Sequence, residues 1–289
     1  MKICGFCREL FDSKDWRCPG CKEEPIRLGP FLSFAPDLAQ DNPGFKPEFF
    51  QNLAKLEGQN FWFRARNKLI VATLLKFFPN AKKFFEIGCG TGLVLSGIKQ
   101  ACPQLDLRGS EIFCKGLEYA SERLNKVELF QMDARRIPFS NEFDVIGAFD
   151  VLEHIVEDQL VLGEMHKALR PGGGLIVTVP QHQFLWGPAD DHACHVRRYS
   201  AAEIKEKLER GGFILERLTS FVSFLFPLMV ASRLWQKRSK GDFNELAELQ
   251  ISGWKNAVLE KVLDFERWLI RRGLNFPFGG SLLVVAKKV

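Results

Sequence analysis

A mostly parallel α/β sheet of seven strands with helices on both faces, joined to a small metal-clipped module at the amino terminus, is the fold this chain predicts. Three observations carry that prediction. Apolar runs alternate with helical patterns from residue 83 onward, an alternating-glycine bend (Gly88-Cys89-Gly90-Thr91-Gly92) closes the first run, and two C-x-x-C pairs stand within the first 21 residues. Long helical connections favour parallel pairing, and parallel strands need cover on both faces.

The first element is the cysteine module. Cys4 and Cys7 form one pair, Cys18 and Cys21 the other, with ten residues between them. Each pair can set two thiolates on one tetrahedral ion through a tight turn, so a four-sulfur zinc ribbon over residues 1–24 is expected, with iron as the competing ion. Such a closed site keeps no open position, which makes its role structural. Loading would take the formal charge from +5 to +3, five minus four thiolates plus two for the ion. Cys89, Cys102, Cys114 and Cys194 are scattered and read as ordinary thiols.

Residues 25–47 hold Pro25, Pro30, Pro36, Pro43 and Pro47 and read as a linker or draped arm. The large domain runs over 48–289. It opens with two amphipathic helices, marked by Phe49, Phe50, Leu53 and Leu56 and then by Ile70, Val71, Leu74 and Leu75. Strands are expected at Lys83–Gly88, Leu105–Glu111, Val127–Gln131, Phe143–Phe149, Gly173–Val179, Phe213–Phe221 and Ser281–Ala286. A helical insertion, about 222–275, precedes the last strand, and Trp254, Val258, Val262, Phe265 and Leu269 keep a helical period within it.

Composition narrows the partners. The chain has 289 residues, 46% of them apolar, with 40 basic and 35 acidic residues interspersed. A net +5 permits nucleic acid without indicating it. The start, Met1-Lys-Ile-Cys-Gly-Phe-Cys, lacks the apolar core of a cleavable signal, so a cytoplasmic location is expected. Phe221–Trp235 contains Pro227 and Arg233 and is too short to span a bilayer, which leaves peripheral membrane contact open. Nothing in the sequence sets an oligomeric state.

The glycine bend carries the functional signal. A strand, a glycine turn and a helix start together present free N–H groups and a backbone that a ligand can approach closely. The spacing at 88, 90 and 92 departs from the G-x-G-x-x-G of dinucleotide enzymes. With Glu86 before it, the bend resembles the first motif of class I S-adenosylmethionine-dependent methyltransferases, a Rossmann-like family, and the resemblance extends over about residues 60–288. Within that family the segment after the fifth strand is similar to a type 11/23-like subgroup.

The resemblance implies a set of site residues. Glu86, Gly88, Cys89, Gly90 and Gly92 would form the cofactor bend; Glu111, with Ile112 beside it, would hold the ribose hydroxyls. Asp133 would accept from the adenine amino group, with Met132 and Ala134 along the ring. Asp150 and His154 would stand at the carboxyl end of the fourth strand, in the crevice where ligands bind. Arg66 would pair with the methionine carboxylate and Trp62 would lie near the sulfonium. Arg170-Pro-Gly-Gly-Gly174 would be scaffold, a turn into the fifth strand.

For the methyl acceptor, the polar stretch from Pro180 to Ser200 resembles the D-x-x-x-H-x-R-R-Y pattern of the subgroup, matched by Asp191, His195, Arg197, Arg198 and Tyr199. His154, His195 and Tyr199 are the candidate catalytic groups, either histidine being suited to withdraw an acceptor proton; a hydrogen-bonded loop histidine is the plain alternative. The apolar run Phe221–Trp235 followed by Lys237, Arg238 and Lys240 suits a greasy lid as well as a core or contact helix. The expected function is methyl transfer from S-adenosyl-L-methionine to a small-molecule or lipid-like acceptor. An RNA methyltransferase using the ribbon for nucleic acid, and a non-catalytic cofactor-binding protein, are the alternatives.

Overall fold

The computed structural model describes residues 1–40, 49–238 and 251–289. All seven expected strands are present. They are β5 (Lys83–Ile87), β6 (Asp106–Glu111), β7 (Glu128–Gln131), β8 (Phe143–Phe149), β9 (Leu169–Pro180), β10 (Phe213–Phe221) and β11 (Ser281–Lys288). Together with β3 (Ile26–Leu28) and β4 (Phe31–Ser33) they form a nine-stranded sheet ordered β10-β11-β9-β8-β5-β6-β7-β4-β3. Strands β9, β8, β5, β6, β7 and β4 run parallel, while β11 inserts antiparallel between β9 and β10.

The two additional strands come from the proline-rich segment. Residues 26–28 (β3) and 31–33 (β4) form a hairpin whose second strand pairs with β7, Leu32 opposite Phe130 and Ser33 opposite Gln131. The prolines predicted an arm here, but Pro25 and Pro30 only flank the strands, where no ladder donor is needed. Gln131 then fixes the register, its Oε1 accepting from Ser33 Oγ at 2.6 Å and its Nε2 donating to the Ala35 carbonyl at 2.8 Å. Pro43 and Pro47 lie outside the described residues. Strand β9 also begins four residues before its predicted start, because the chain passes through Gly172 (φ +74°) at an irregularity between Phe143 and Val145 of its partner β8.

Two apolar layers cover the sheet. One face holds Val161, Leu162 and Met165 of α5 (Asp158–Ala168) and Ile204 and Leu208 of α7 (Ala201–Arg210). The other holds α2 (Phe61–Phe77), α3 (Leu93–Ala101), α4 (Cys114–Arg123) and α9 (Gly253–Arg271) through Leu69, Ile70, Leu95, Leu117, Leu263 and Ile270. Between β10 and β11 the described residues hold α8 (Phe226–Arg238) and α9, and residues 239–250, within the expected insertion, lie outside them. No helix among the described residues is long and apolar enough to cross a membrane.

The cysteine module packs on the first of these layers. Hairpin β1–β2 (Lys2–Ile3 with Leu10–Phe11) leads to Trp16, whose ring meets Phe34, Phe130 and Phe139 edge-on at centroid distances of 4.7, 5.8 and 5.4 Å. Ile3 N–H donates to the Pro138 carbonyl at 3.0 Å.

Candidate functional site

The sheet itself chooses where a ligand goes. From β5 the chain steps to β6 and β7 on one side and to β8 and β9 on the other, so a crevice opens at the carboxyl end of β5. Glu86, the glycine bend, Glu111, Asp133 and Asp150 all lie at that edge.

The bend is built by positive φ at Gly88 (+65°), Gly90 (+52°) and Gly92 (+77°). Two of them also need the missing Cβ: at Gly88 it would fall 2.5 Å from Val151 Cγ2, and at Gly92 3.2 Å from the Ala120 backbone. At Gly90 the space beyond is open, with only Phe50 Cε1 at 3.8 Å. That is the geometry of a backbone kept clear for something to lie against it. Gly92 caps α3, whose first turn points its N–H groups at the bend.

Glu111 is buried and turned inward. Its Oε2 accepts from Gly90 N–H at 3.0 Å and its Oε1 from Ile112 N–H at 2.8 Å, tying the end of β6 to the bend. Burial pushes its carboxyl up, against the pull of those N–H donors. Cys89 is buried with its N–H on the Ser110 carbonyl, and burial raises its thiol well above the usual range. Asp133 accepts a forked pair from its neighbour Arg135, with Nε at 3.0 Å from Oδ2 and Nη2 at 2.9 Å, while Ala134 is buried beside it.

Glu86 is 2% exposed, and its Oε2 has no hydrogen-bond partner. Burial holds its carboxyl well above its ordinary range, with Arg66 opposing. Arg66 comes from α2 and is largely buried, its side chain 10% exposed. It forms an ion pair with Asp150, and its guanidinium stands 4.7 Å over the ring of Trp62. Burial lowers it to about 10, against the negative charge of Glu86, Glu153 and Glu57. Asp150 adopts φ +57°, unusual for a residue with a side chain, and is held there by its N–H to the Thr178 carbonyl at 2.9 Å. Four of the predicted residues, Trp62, Arg66, Glu86 and Asp150, therefore share one cluster, with Glu86 at its buried end.

Helix α1 (Phe49–Leu56) lies over the bend. Phe50 Cε1 lies 3.8 Å from where a Gly90 Cβ would be and 3.1 Å from where a Gly116 Cβ would be, and Glu57 just beyond it accepts from Thr91 Oγ1 at 2.6 Å and pairs with Arg123 at 2.6 Å. Sequence periodicity marked Phe49 and Phe50 as a helix face; their place over the glycines had no local signal.

A second group forms around the loop after β9. Asp190, 1% exposed, accepts from His195 Nδ1 at 2.8 Å, Arg198 Nε at 2.8 Å and Gly187 N–H at 2.9 Å. Despite burial, the bonds from His195 and Arg198 hold its carboxyl down at about 2. The D-x-x-x-H pattern counted from Asp191, but α6 (Pro188–His192) turns Asp190 inward and leaves Asp191 bonded to Trp186 Nε1 at 2.9 Å. His154 lies across from His195, ring centroids 4.8 Å apart, and burial followed by the His195 charge pushes it down to about 3. Tyr199 is elsewhere: its fully buried hydroxyl donates to Asp158 Oδ2 at 2.7 Å, and Arg197 and Lys207 close on the same carboxylate at 2.7 and 2.9 Å.

At the amino terminus the four cysteines come together without disulfides. The sulfurs of Cys4 and Cys21 stand 3.6 Å apart and those of Cys7 and Cys18 3.5 Å. The two turns repeat one another. Arg8 N–H donates to the Cys4 carbonyl and Lys22 N–H to that of Cys18, with φ +64° and +66° at Arg8 and Lys22. Bonds of about 2.3 Å to one tetrahedral ion would put sulfurs about 3.8 Å apart, so the four thiols already approach that spacing.

Comparison with known proteins agrees with this geometry. Residues 85–177 match the family model described as a methyltransferase domain. A Mycolicibacterium smegmatis protein, named a probable S-adenosylmethionine-dependent methyltransferase, is 26% identical over 56% of this chain and 62% of its own length. Demethylspheroidene O-methyltransferase of Rhodobacter capsulatus is 30% identical over 61% of this chain and 49% of its own. The chain spans about three-fifths of the length of the curated relatives it matches first. Among solved structures, a chain of the complex between the Haloferax volcanii Trm112 methyltransferase activator and a methyltransferase superposes with a TM-score of 0.54. It covers 82% of this chain and 96% of that one at 16% identity, a likeness of fold. The strand order and the glycine bend at its switch point give this chain the Rossmann-like α/β fold of methyltransferases, and residues 85–177 within it are similar to a methyltransferase domain.

Proposed function

We propose that the protein transfers a methyl group from S-adenosyl-L-methionine to a small-molecule or lipid-like acceptor. The observation that carries the cofactor half is the orphaned Glu86 Oε2, buried at the bend beside the Arg66 cluster. A buried acceptor atom without a donor costs about 1–3 kcal/mol, and the ammonium of a methionine moiety supplies one. The residues fit the cofactor throughout: Gly90 leaves room along the backbone, Glu111 carries the carboxylate for ribose hydroxyls with Ile112 next to it, and Asp133 and Ala134 border the base. Arg66 meets the methionine carboxylate by exchanging Asp150 for it, and Trp62 turns its face to the positive centre. When bound, the cofactor supplies an already activated methyl; the protein's part is to hold the acceptor in line, which is worth roughly 7–11 kcal/mol.

The acceptor half rests on the aromatic group beside the loop after β9. His182 lies 5.2 Å from Phe184 and 5.4 Å from Phe226, and Phe278 lies 6.5 Å from Phe226. Phe184 and Phe278 are more than half exposed, as are Leu228, Leu234 and Trp235 along α8. Exposed apolar side chains beside the ligand edge of the sheet suit an acceptor with an apolar portion. His195 and His154 border the polar end and serve acceptor activation, with Asp190 orienting His195. Tyr199 contributes by anchoring the loop to Asp158.

The four-cysteine module fits a structural zinc ion, whose ligands are Cys4, Cys7, Cys18 and Cys21.

Calorimetric titration of the purified protein with S-adenosyl-L-methionine, followed by label transfer from methyl-labelled cofactor into lipid and aqueous cell extracts, tests the reading. Micromolar binding with label in an extractable apolar product is expected. No binding, or a dinucleotide bound in its place, overturns the cofactor half; label confined to RNA or to strongly polar metabolites overturns the acceptor half.

A further inference from the structure

Glu153 has no place in either half of that reading, although it is the most completely enclosed acid near the site. It is 0% exposed, and neither of its carboxylate oxygens has a hydrogen-bond partner. Two unpartnered oxygens on one buried side chain are costly, because each forfeits the hydrogen bonds it made with water. The groups that face it explain what they wait for. One donor atom from each of Glu153, His154 and His195 lies within 4.8 Å of the others.

One of these rings is also held from behind. His195 Nδ1 is bound to Asp190, which is fixed in turn by Arg198 Nε and Gly187 N–H. That bond sets the ring so that Nε2 remains for another partner, the carboxylate–imidazole arrangement found behind metal-bound histidines. His154 sits in the short helical turn that also carries Glu153, and the Val196 N–H donates to the Glu153 carbonyl at 2.8 Å, stitching the His195 loop to that turn. The two rings meet edge to face at 77°.

We infer that Glu153, His154 and His195 bind one divalent first-row transition ion, separate from the four-cysteine site. Two imidazoles and one carboxylate are borderline donors that select such ions over calcium or magnesium, and three protein ligands leave coordination positions open. Bonds of about 2.1 Å would draw the donors closer together than they stand, a movement available to the rings and to the free carboxylate. At the open positions an acceptor oxygen would bind and lose its proton to solvent more readily, so the ion gives acceptor activation a specific form. The ion site itself stands on the three side chains whether or not the acceptor reading does.

The test counts ions. The full-length protein, the Glu153→Gln variant and the His195→Gln variant are equilibrated by dialysis against buffered micromolar Co(II), and cobalt per chain is measured by mass spectrometry. Wild type is expected to hold one ion more than either variant, with the extra ion giving weak visible d–d bands but no thiolate charge-transfer band. Asp190→Asn, which removes only the orienting bond, is expected to weaken that extra ion about 10- to 100-fold. Circular dichroism and cofactor titration on each variant show that the domain is intact; if Glu153→Gln does not fold, the half-buried His195 position decides. Equal cobalt in wild type and His195→Gln, or an extra ion that carries thiolate bands, overturns the inference.

Discussion

Arg66 pairs with Asp150, while Glu86 and Glu153, whose carboxyls burial pushes up, lie within its field. Removing the cation would leave Asp150 without its partner, and breaking a buried pair from one side costs about 3–5 kcal/mol. Arg66→Met should lower stability by that amount in urea unfolding, and Arg66→Lys should recover part of it without restoring the forked geometry that a carboxylate ligand uses. Gly90→Val is a different kind of change: a β-branched side chain at φ +52° is strained and fills the space kept open at the bend. Cofactor affinity measured by calorimetry should fall at least about tenfold while the far-ultraviolet spectrum is retained, and Asp133→Ala should weaken it through the proposed contact with the base. At this scale the sequence was most informative where a motif is local. The acid–glycine bend and Glu111 could be located by spacing because strand, turn and helix follow one another within a few residues. The roles of Asp190 and Asp191 could not, since two adjacent aspartates differ only in the phase of a five-residue helix.

Helix α9 is long and amphipathic, but its apolar stripe alone does not fix it to α2. Glu260 does so electrostatically, receiving Arg64 Nε at 3.0 Å and Lys68 Nζ at 2.9 Å, and its carboxyl is lowered to about 2, chiefly by the Arg64 bond. A folded-state value below the unfolded one of about 4.3 means that the contribution is complete above that pH. It is lost as the pH falls from there toward 2. Wild type should therefore exceed Glu260→Gln by about 1 kcal/mol in urea unfolding at pH 6, and the gap should close as the pH is taken from 4.5 to 2.5. A gap that stays constant across that range would show that packing, not charge, holds the helix. Element types were legible because their hydrophobic periods are strong: the strands alternate with amphipathic helices across some two hundred residues. Hairpin β3–β4 was not, because its three-residue strands are too short to show a period and take their stability from pairing with β7, a contact about one hundred residues away.

At the scale of the molecule, the cysteine module and the sheet are one packed body, and the joint is aromatic. Trp16 drives its ring among Phe34, Phe130 and Phe139, and Lys2 Nζ covers the outer face at 4.6 Å. Phe130 and Phe34 belong to β7 and the segment after β4, so the module also seals the edge hairpin against the sheet. Sequence suggested a tethered ribbon because pairwise contacts across more than a hundred residues leave no local trace. The proposed zinc ion is then a clamp on the whole edge, since without it some twenty residues lack the core to keep Trp16 in place. Cys18→Ser, or chelation of the ion, should release that ring, red-shift the tryptophan emission and expose the Phe130 face to protease between residues 24 and 40. The melting temperature should drop by about 5 °C or more while cofactor binding at the far end of the crevice persists within about threefold. Emission and proteolysis unchanged after verified metal removal would mean that aromatic packing alone secures the module, and that the four thiols are dispensable for docking.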